Sequence, residues 1–329
     1  MPPEARPTVS AVVPHWNRCD LLPPFFESLR QQLQPFDDVL LVDNGSSDNS
    51  AALAESLGAR VLRLEKNFGF AAAVNRGIEA ATADWVAILN NDVTLDPAWL
   101  RNLIDRATST RSAFATGKTL DAANPKIIDG TYDEISRGAC ALRCGSGKPD
   151  GAYWNQERRI RLAPMTAALF RRDLFTELGG LDESFGSYLE DVDFGIRCAA
   201  ARKSGIYVPT AVAYHRGSST LGRWNPDTVQ LIAKNQVLLA AKYFQHQPSL
   251  PLVAGQLLWG LVAAKHGCGL AYLKGRKAGR TILSKAPTVS GETSARLAEI
   301  FEESEREILA VQQATGFDSY WRAYFCLAR

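Results

Sequence analysis

Four short apolar runs within the first 90 residues, each stopping abruptly in polar residues and each separated from the next by a helical pattern, set the tightest limit on how this chain folds. They are TVSAVVP, DDVLLVD, ARVLRLE and DWVAILN. None has the polar alternation of a half-solvated strand, so each reads as a strand buried on both faces. Residues 21–33 (LLPPFFESLRQQL), Ala51 to Leu57 and Ala71 to Ala81 lie between them as helices. This alternation predicts an α/β, Rossmann-like, mostly parallel central sheet flanked by helices. Ligands of such sheets sit beyond the carboxyl ends of the strands. The polar stops therefore fall on one edge: Asp43 after the second run, and Asn90, Asn91 and Asp92 after the fourth.

The later chain is organised differently. Residues 121–160 are rich in Gly, Asp, Pro and Lys and predict loops or a small antiparallel insertion. MTAALFRRDLFTELGG leads into a short helix stopped by Gly179 and Gly180, and a further helix is expected from about Asp191 to Lys203, closed at Gly205. IYVPTAVAYHRG then reads as a late strand bent at Pro209. PDTVQLIAKNQVLLAAKYF is a helix, and residues 292–315 form an amphipathic one. LPLVAGQLLWGLVAA is strongly apolar but shorter than the roughly 20 residues a spanning helix needs. It reads as a buried or an interfacial helix. Basic residues follow (Lys265, Lys274, Arg276, Lys277, Arg280, Lys285), mixed with Leu270, Tyr272, Leu273 and Ile282. That mixture suits peripheral contact with an anionic membrane, or the solvated face of a packed helical tail. The expected division is residues 1–245 as the main α/β domain and 246–329 as a C-terminal helical segment.

Composition narrows the function. A net charge of +2 lacks the global basic field of nucleic-acid binders. The six cysteines form no CxxC pair, and no charged region followed by an apolar one opens the sequence, so a reduced, cytoplasmic protein is expected. Cys140 and Cys144 have no second Cys/His pair at zinc spacing to join them.

Several polar clusters could carry chemistry. Asp92, at the mouth of the sheet, could hold a hard divalent cation with Asn90 and Asn91 donating to sugar hydroxyls; an isolated strand-ending Asx turn would look the same. VDNGSSDNS sets Asp43 where a carboxylate can accept from a base or a ribose. KNFGFAAAVNRG offers the cation Lys66 and a glycine, Gly69, that lets backbone approach a ligand at a helix N-terminus. YLEDVDF packs Glu190, Asp191 and Asp193 into a first helical turn; the helix dipole accounts for one or two of them, and three beside GGLDESFGS point to a general base at a flexible rim. His215 ends a strand and is a candidate metal ligand.

VVPHWNR, VDNGSSDNS, KNFGFAAAVNRG, WVAILNNDVTLDPAWL, RRDLFTELGGLDESF, YLEDVDF and YHRGSS, taken in order over about residues 8–245, resemble the inverting family 2 glycosyltransferases of the GT-A fold, and especially their bacterial rhamnosyltransferase-like branch. The resemblance implies that Pro14, Trp16, Asn17 and Asp43 hold the nucleotide, and that Lys66, Asn67, Gly69, Asn75, Asn90 and Asn91 lie near the donor. It implies Asp92 and His215 as ligands of Mg²⁺ or Mn²⁺, and Asp191, paired with Glu190, as the catalytic base. Asn90 stands where a fuller DxD motif has its first carboxylate, and His15 precedes Trp16-Asn17 where an asparagine is common.

The expected function is transfer of a sugar, best guessed as L-rhamnose from dTDP-rhamnose, to a glycan or lipid-linked saccharide of the cell surface, at the cytoplasmic face of the inner membrane. Two other readings stay open. A sugar nucleotidyltransferase would share the sheet and the metal, but PHWNRCDLLPP lacks the glycines of a triphosphate loop. A catalytically silent nucleotide-sugar or glycan-binding protein is the other.

Overall fold

The computed structural model describes residues 6–217, 224–244, 249–282 and 291–328. Met1 to Ala5 of the proline-rich lead, the two serines of YHRGSS, and Lys285 lie outside them.

The first half is the expected strand and helix alternation. β1 (Val9–His15), β2 (Asp38–Asp43), β3 (Arg60–Arg63) and β4 (Trp85–Leu89) are joined through α1 (Leu22–Arg30), α2 (Ser50–Ser56) and α3 (Phe70–Ala80). They lie side by side in the order β4-β1-β2-β3, all parallel. β1 shows why the runs lack polar alternation. Val9, Ala11 and Val13 pack under α1 with Phe25, Phe26 and Leu29, while Val12 packs on the opposite face with Ala71, Val74 and Ile78 of α3. A strand with a helical layer on each side has no solvent face on which to place a polar residue.

The second half adds β5 (Val93–Leu95), α4 (Trp99–Ser109) and β6 (Phe114–Asp121), which the pattern above does not predict. The region expected to be loops or a small antiparallel insertion holds β7 (Ile128–Gly130), β8 (Asp133–Ile135), β9 (Ala141–Arg143) and β10 (Arg158–Ile160); β8 and β9 form a separate antiparallel pair. β11 (Ala167–Arg171) inserts antiparallel between β4 and β6. α5 (Asp173–Glu177) and α6 (Glu190–Ala200) precede β12 (Gly205–His215), which runs parallel to β6. The main sheet is thus ordered β10-β12-β6-β11-β4-β1-β2-β3, with β5 on β12 and β7 on β6. β1, β2, β3, β4, β6 and β12 share one direction, so their carboxyl ends, including His15, Asp43, Asp121 and His215, gather on one edge.

One local reading needs correction. Gly205 does not close α6 but opens β12; the left-handed turn residue is Arg202 (φ 60°), followed by the Lys203 amide donating to the Cys198 carbonyl at 2.9 Å. A strand of backbone that must pack on Phe114 explains the glycine instead, because a Cβ there would stand 2.1 Å from the Phe114 ring. The expected bend at Pro209 is present as a register shift between Val208 and Val212.

Among the described residues five helices follow: α7 (Pro226–Tyr243), α8 (Ser249–Lys265), α9 (Gly269–Ile282), α10 (Gly291–Thr315) and α11 (Ser319–Leu327). α10 seals the β8–β9 pair: Ser304 Oγ accepts from the Ile135 amide at 2.7 Å and donates to buried Glu134, and the Tyr132 hydroxyl donates to Glu307 at 3.0 Å. Among the described residues no helix is long and apolar enough to cross a membrane.

The bulge of β12 gives a test of this packing. A Cβ on Gly117 of β6 would stand 1.8 Å from the Ala211 carbonyl oxygen, so Gly117→Ala must push the bulge outward. Overpacking of this kind costs about 2–3 kcal/mol, to be read by urea unfolding. A change below about 0.5 kcal/mol would show that the bulge yields freely.

Candidate active site

The strand edge opens into a cleft of about 490 Å³. Asn90 and Asp92 enter from the end of β4, His215 from the end of β12, Glu190 and Asp191 from the first turn of α6, and Leu231 and Ile232 from α7. These five polar residues were expected from the sequence. Asp133, Arg143, Thr166 and Tyr188 share the lining and were not.

Asp92 and His215 meet. His215 Nε2 stands 3.2 Å from Asp92 Oδ1, an oxygen with no hydrogen-bond partner of good geometry among the described residues. On its other side His215 Nδ1 is 3.0 Å from Asp129 Oδ2, on β7. Burial lowers the imidazole pKa, but hydrogen bonds and charge from Asp129 and Asp92 outweigh it and raise the value to about 9.

The carboxylates of α6 divide by environment. Asp193 is fully buried and spoken for by Arg197 at 3.0 Å, the Tyr243 hydroxyl at 2.6 Å and Lys242 at 2.6 Å, so it braces α6 against α7 and does not reach the cleft. Glu190 is 4% exposed; burial first, and the charge of Asp191 second, push its pKa well above the ordinary carboxylate value. Asp191 is oriented by backbone: Oδ1 accepts from the Val192 amide at 2.9 Å and Oδ2 from the Met165 amide at 3.4 Å. Arg143 Nη2 lies 3.9 Å from the same oxygen, and its Nε lies 3.5 Å from Asp133, whose pKa is raised to about 7, chiefly by burial.

The rim before α6 is under backbone constraint. Tyr188 and Leu189 are consecutive non-glycine residues at φ 72° and 67°, a conformation that costs on the order of 1–3 kcal/mol each and persists only where the surroundings impose it. Buried Asn235 of α7 does so, its side-chain amide lying 3.0, 2.8 and 2.6 Å from the carbonyls of Phe185, Ser187 and Tyr188.

Beside the cleft, at the ends of β1 and β2, lie the residues expected to face a nucleotide. Trp16 is 42% exposed. Asp43 Oδ1 accepts from the Ser46 amide at 3.1 Å, and Asn17 Oδ1 from the Ser47 amide at 2.9 Å. Pro14 pairs in register with Val42 inside the strand. Asn91 ties this group to the cleft, its Nδ2 donating to His15 Nδ1 at 2.6 Å. Burial holds His15 down to about 4, hence neutral, against the pull of Asp43. Lys66 and Asn67 are exposed on the loop before α3, where Asn67 Oδ1 accepts from the Gly69 amide at 2.9 Å. Gly69 (φ 92°) touches the rim, since a Cβ there would stand 2.9 Å from the Gly186 carbonyl oxygen. Asn75 is not brought in. Its amide donates to the Leu181 carbonyl at 2.9 Å and its oxygen accepts from the Leu181 amide at 2.8 Å, so it pins the rim loop from behind.

Asp129, Asp133 and Arg143 left no signal in the sequence because they come from short strands in the irregular middle, and only their placement against β6 and α6 gives them neighbours. Asn235 sits inside an ordinary helical pattern, where nothing local distinguishes it.

The family model for glycosyl transferase family 2 matches residues 10–179, which span β1 to α5 and the first strand ends of this site. The chain belongs to glycosyl transferase family 2. It is 30% identical over 234 residues to the N-acetylglucosaminyl-diphospho-decaprenol L-rhamnosyltransferase of Mycobacterium tuberculosis, covering 64% of this chain and 74% of that one. It is 29% identical over 209 residues to the O-antigen biosynthesis protein RfbC of Myxococcus xanthus, covering 60% of this chain and 16% of that one. Among solved structures that share its fold are GalNAc-T7 with UDP, GalNAc and Mn²⁺ (TM-score 0.64, 14% identity, 95% of this chain and 59% of that one), and mannosyltransferase PcManGT from Pyrobaculum calidifontis with GDP-Man and Mn²⁺ (TM-score 0.56, 16% identity, 98% and 87%). The GT-A architecture expected from the sequence is therefore the one observed. This glycosyltransferase's family match ends before α6, so Asp191 and His215 are placed by geometry alone.

The His215 pair of contacts predicts a pH dependence in metal-free protein kept in EDTA. With a folded value of about 9 against an ordinary 6.5, its contribution is complete below about pH 6.5 and fades as pH rises toward 9. The full shift corresponds to about 3 kcal/mol at most. His215→Gln should flatten that part of the stability curve, and Asp129→Asn should lower the imidazole pKa followed by NMR. An unmoved value in Asp129→Asn would mean that Asp92 alone holds the charge. Asn235→Ala should speed amide hydrogen exchange at residues 185–189 about fivefold or more, since a hydrogen bond to a buried carbonyl contributes about 1 kcal/mol or more; unchanged exchange would assign the rim's conformation to another contact.

Proposed function

We propose that this glycosyltransferase moves L-rhamnose from dTDP-rhamnose to a hydroxyl of a glycan or lipid-linked saccharide, with inversion at the anomeric carbon. The observation that carries the reading is the cleft itself, which sets an oriented carboxylate, Asp191, in one lining with the Asp92–His215 pair. The mycobacterial relative, an N-acetylglucosaminyl-diphospho-decaprenol L-rhamnosyltransferase, supports the rhamnosyl donor and the lipid-linked acceptor.

In this mechanism Asp191 accepts the proton of the attacking hydroxyl. Its two backbone donors fix the carboxylate so that it need not reorient as the bond forms. Burial of the neighbouring Glu190 disfavours a second negative charge beside Asp191. Trp16 offers a flat face to the base, and Asp43 an acceptor to base or ribose.

The donor set suits a divalent cation. Asp92 Oδ1 is buried without a good hydrogen bond, His215 Nε2 faces it, and Asp129 is placed to accept a hydrogen bond from Nδ1–H and so hold the ring in the ligating tautomer. Among the described residues no group of three or more His, Cys, Asp or Glu side chains is arranged to hold a metal, so donor phosphate oxygens and water would complete the shell of Mg²⁺ or Mn²⁺. When bound, the ion supplies Lewis-acid neutralisation of the departing diphosphate.

Asp191→Asn should cut transfer by on the order of 10²- to 10⁴-fold while leaving the thermal shift given by dTDP with Mn²⁺ intact. Asp92→Ala should abolish the Mn²⁺-dependent part of that shift, as EDTA does. Near-normal turnover by Asp191→Asn would refute the base assignment, and a larger shift with UDP or GDP than with dTDP would refute the donor.

A further inference from the structure

The helices behind the cleft carry an apolar face that no part of the described chain covers. On α8, Leu250, Val253, Leu257 and Leu261 fall on one helical stripe and are 58, 52, 63 and 67% exposed. On α9, Leu270 and Leu273 are 78 and 61% exposed, and Lys274 and Lys277 continue the same stripe, also exposed. The two helices pack as a hairpin, with the Tyr272 hydroxyl donating to the Gln256 carbonyl at 2.7 Å and Arg276 bonded to the Gln256 side chain. So many large apolar groups in water on one pair of helices mark an interaction surface.

Charge identifies the occupant. Residues 249–282 contain Lys265, Lys274, Arg276, Lys277 and Arg280 and no Asp or Glu, in a chain whose total is only +2. A second copy of the chain would set this basic face against itself. We infer that the α8–α9 hairpin docks on an anionic lipid bilayer, its leucine stripe at the acyl boundary and its lysines at the phosphates.

The hairpin is also fixed relative to the cleft. Gly275 and Gly279 of α9 press on α7: a Cβ on Gly275 would stand 2.2 Å from the Gln230 carbonyl oxygen, and one on Gly279 2.7 Å from Val237 Cβ. Leu231 and Ile232 of that same α7 line the cleft. One helix of close packing, about 8–10 Å between axes, therefore separates the docked hairpin from the site. For the lipid-linked acceptor proposed above, on which this consequence alone rests, the arrangement keeps the cleft near the headgroup layer where the saccharide emerges.

The test is co-sedimentation of the full chain with vesicles of phosphatidylglycerol and phosphatidylcholine, and with phosphatidylcholine alone, alongside light scattering for oligomeric state. We expect salt-sensitive binding to the anionic vesicles only. Leu257→Glu/Leu261→Glu/Leu270→Glu should reduce it tenfold or more. Lys274→Gln/Lys277→Gln should weaken it, by about fivefold per lysine, and flatten the salt dependence. The dTDP thermal shift should persist in both variants, which separates failure of this surface from failure of the donor site. Equal binding to both vesicle types, or unchanged binding by the triple glutamate variant, would overturn the inference. So would a wild-type dimer that the triple variant dissociates, which would give the face to a second copy.

Discussion

A helical layer on each face of the parallel strands leaves their carboxyl ends as the place where polar chemistry can emerge. Val9, Ala11 and Val13 face one layer and Val12 the other, so β1 has no room for a charge until His15. The same limit applies to β2 and β4, whose buried apolar runs continue unbroken to Asp43 and to the Asn90-Asn91-Asp92 stop. Shared strand direction then turns separate stops into one site. β12, arriving from a distant part of the chain, runs the same way and delivers His215 to the edge that already holds Asp92.

Gathering carboxylates at a dry edge has an electrostatic cost, and the protein meets it in two ways. One is cations: His215 lies between Asp92 and Asp129, and Arg143 between Asp133 and Asp191. The other is burial, which disfavours the charged form of Glu190 and lifts Asp133 to about 7. The result is an acid-rich cleft in which charge is disfavoured at its buried carboxyls, and in which Asp191 is held by backbone amides.

The helices that follow β12 belong to the site as much as the sheet does. Asn235 of α7 imposes the left-handed backbone of Tyr188 and Leu189, and Lys242 of the same helix, through Asp193, ties α6 to α7. α10 anchors the β8–β9 pair from which Arg143 projects. The rim that faces substrate is thus positioned from a part of the chain that carries none of the family's motifs.

What the sequence determined by itself was the frame and the strand-end chemistry: periodicity follows from burial, so two-sided burial and its polar stops can be read from order alone. That is why the placing of Asp43, Asn90, Asp92 and His215 at one strand edge was legible. The tertiary structure decided the partners. Asp129 and Arg143 become site residues only because a short strand happens to lie against β6 or α6, Asn75 and Asp193 are drawn away by loops and helices packed behind them, and the turn into β12 fell to Arg202 because Gly205 was needed against Phe114. Contacts of this kind join residues distant in the chain, and local patterning carries no record of them.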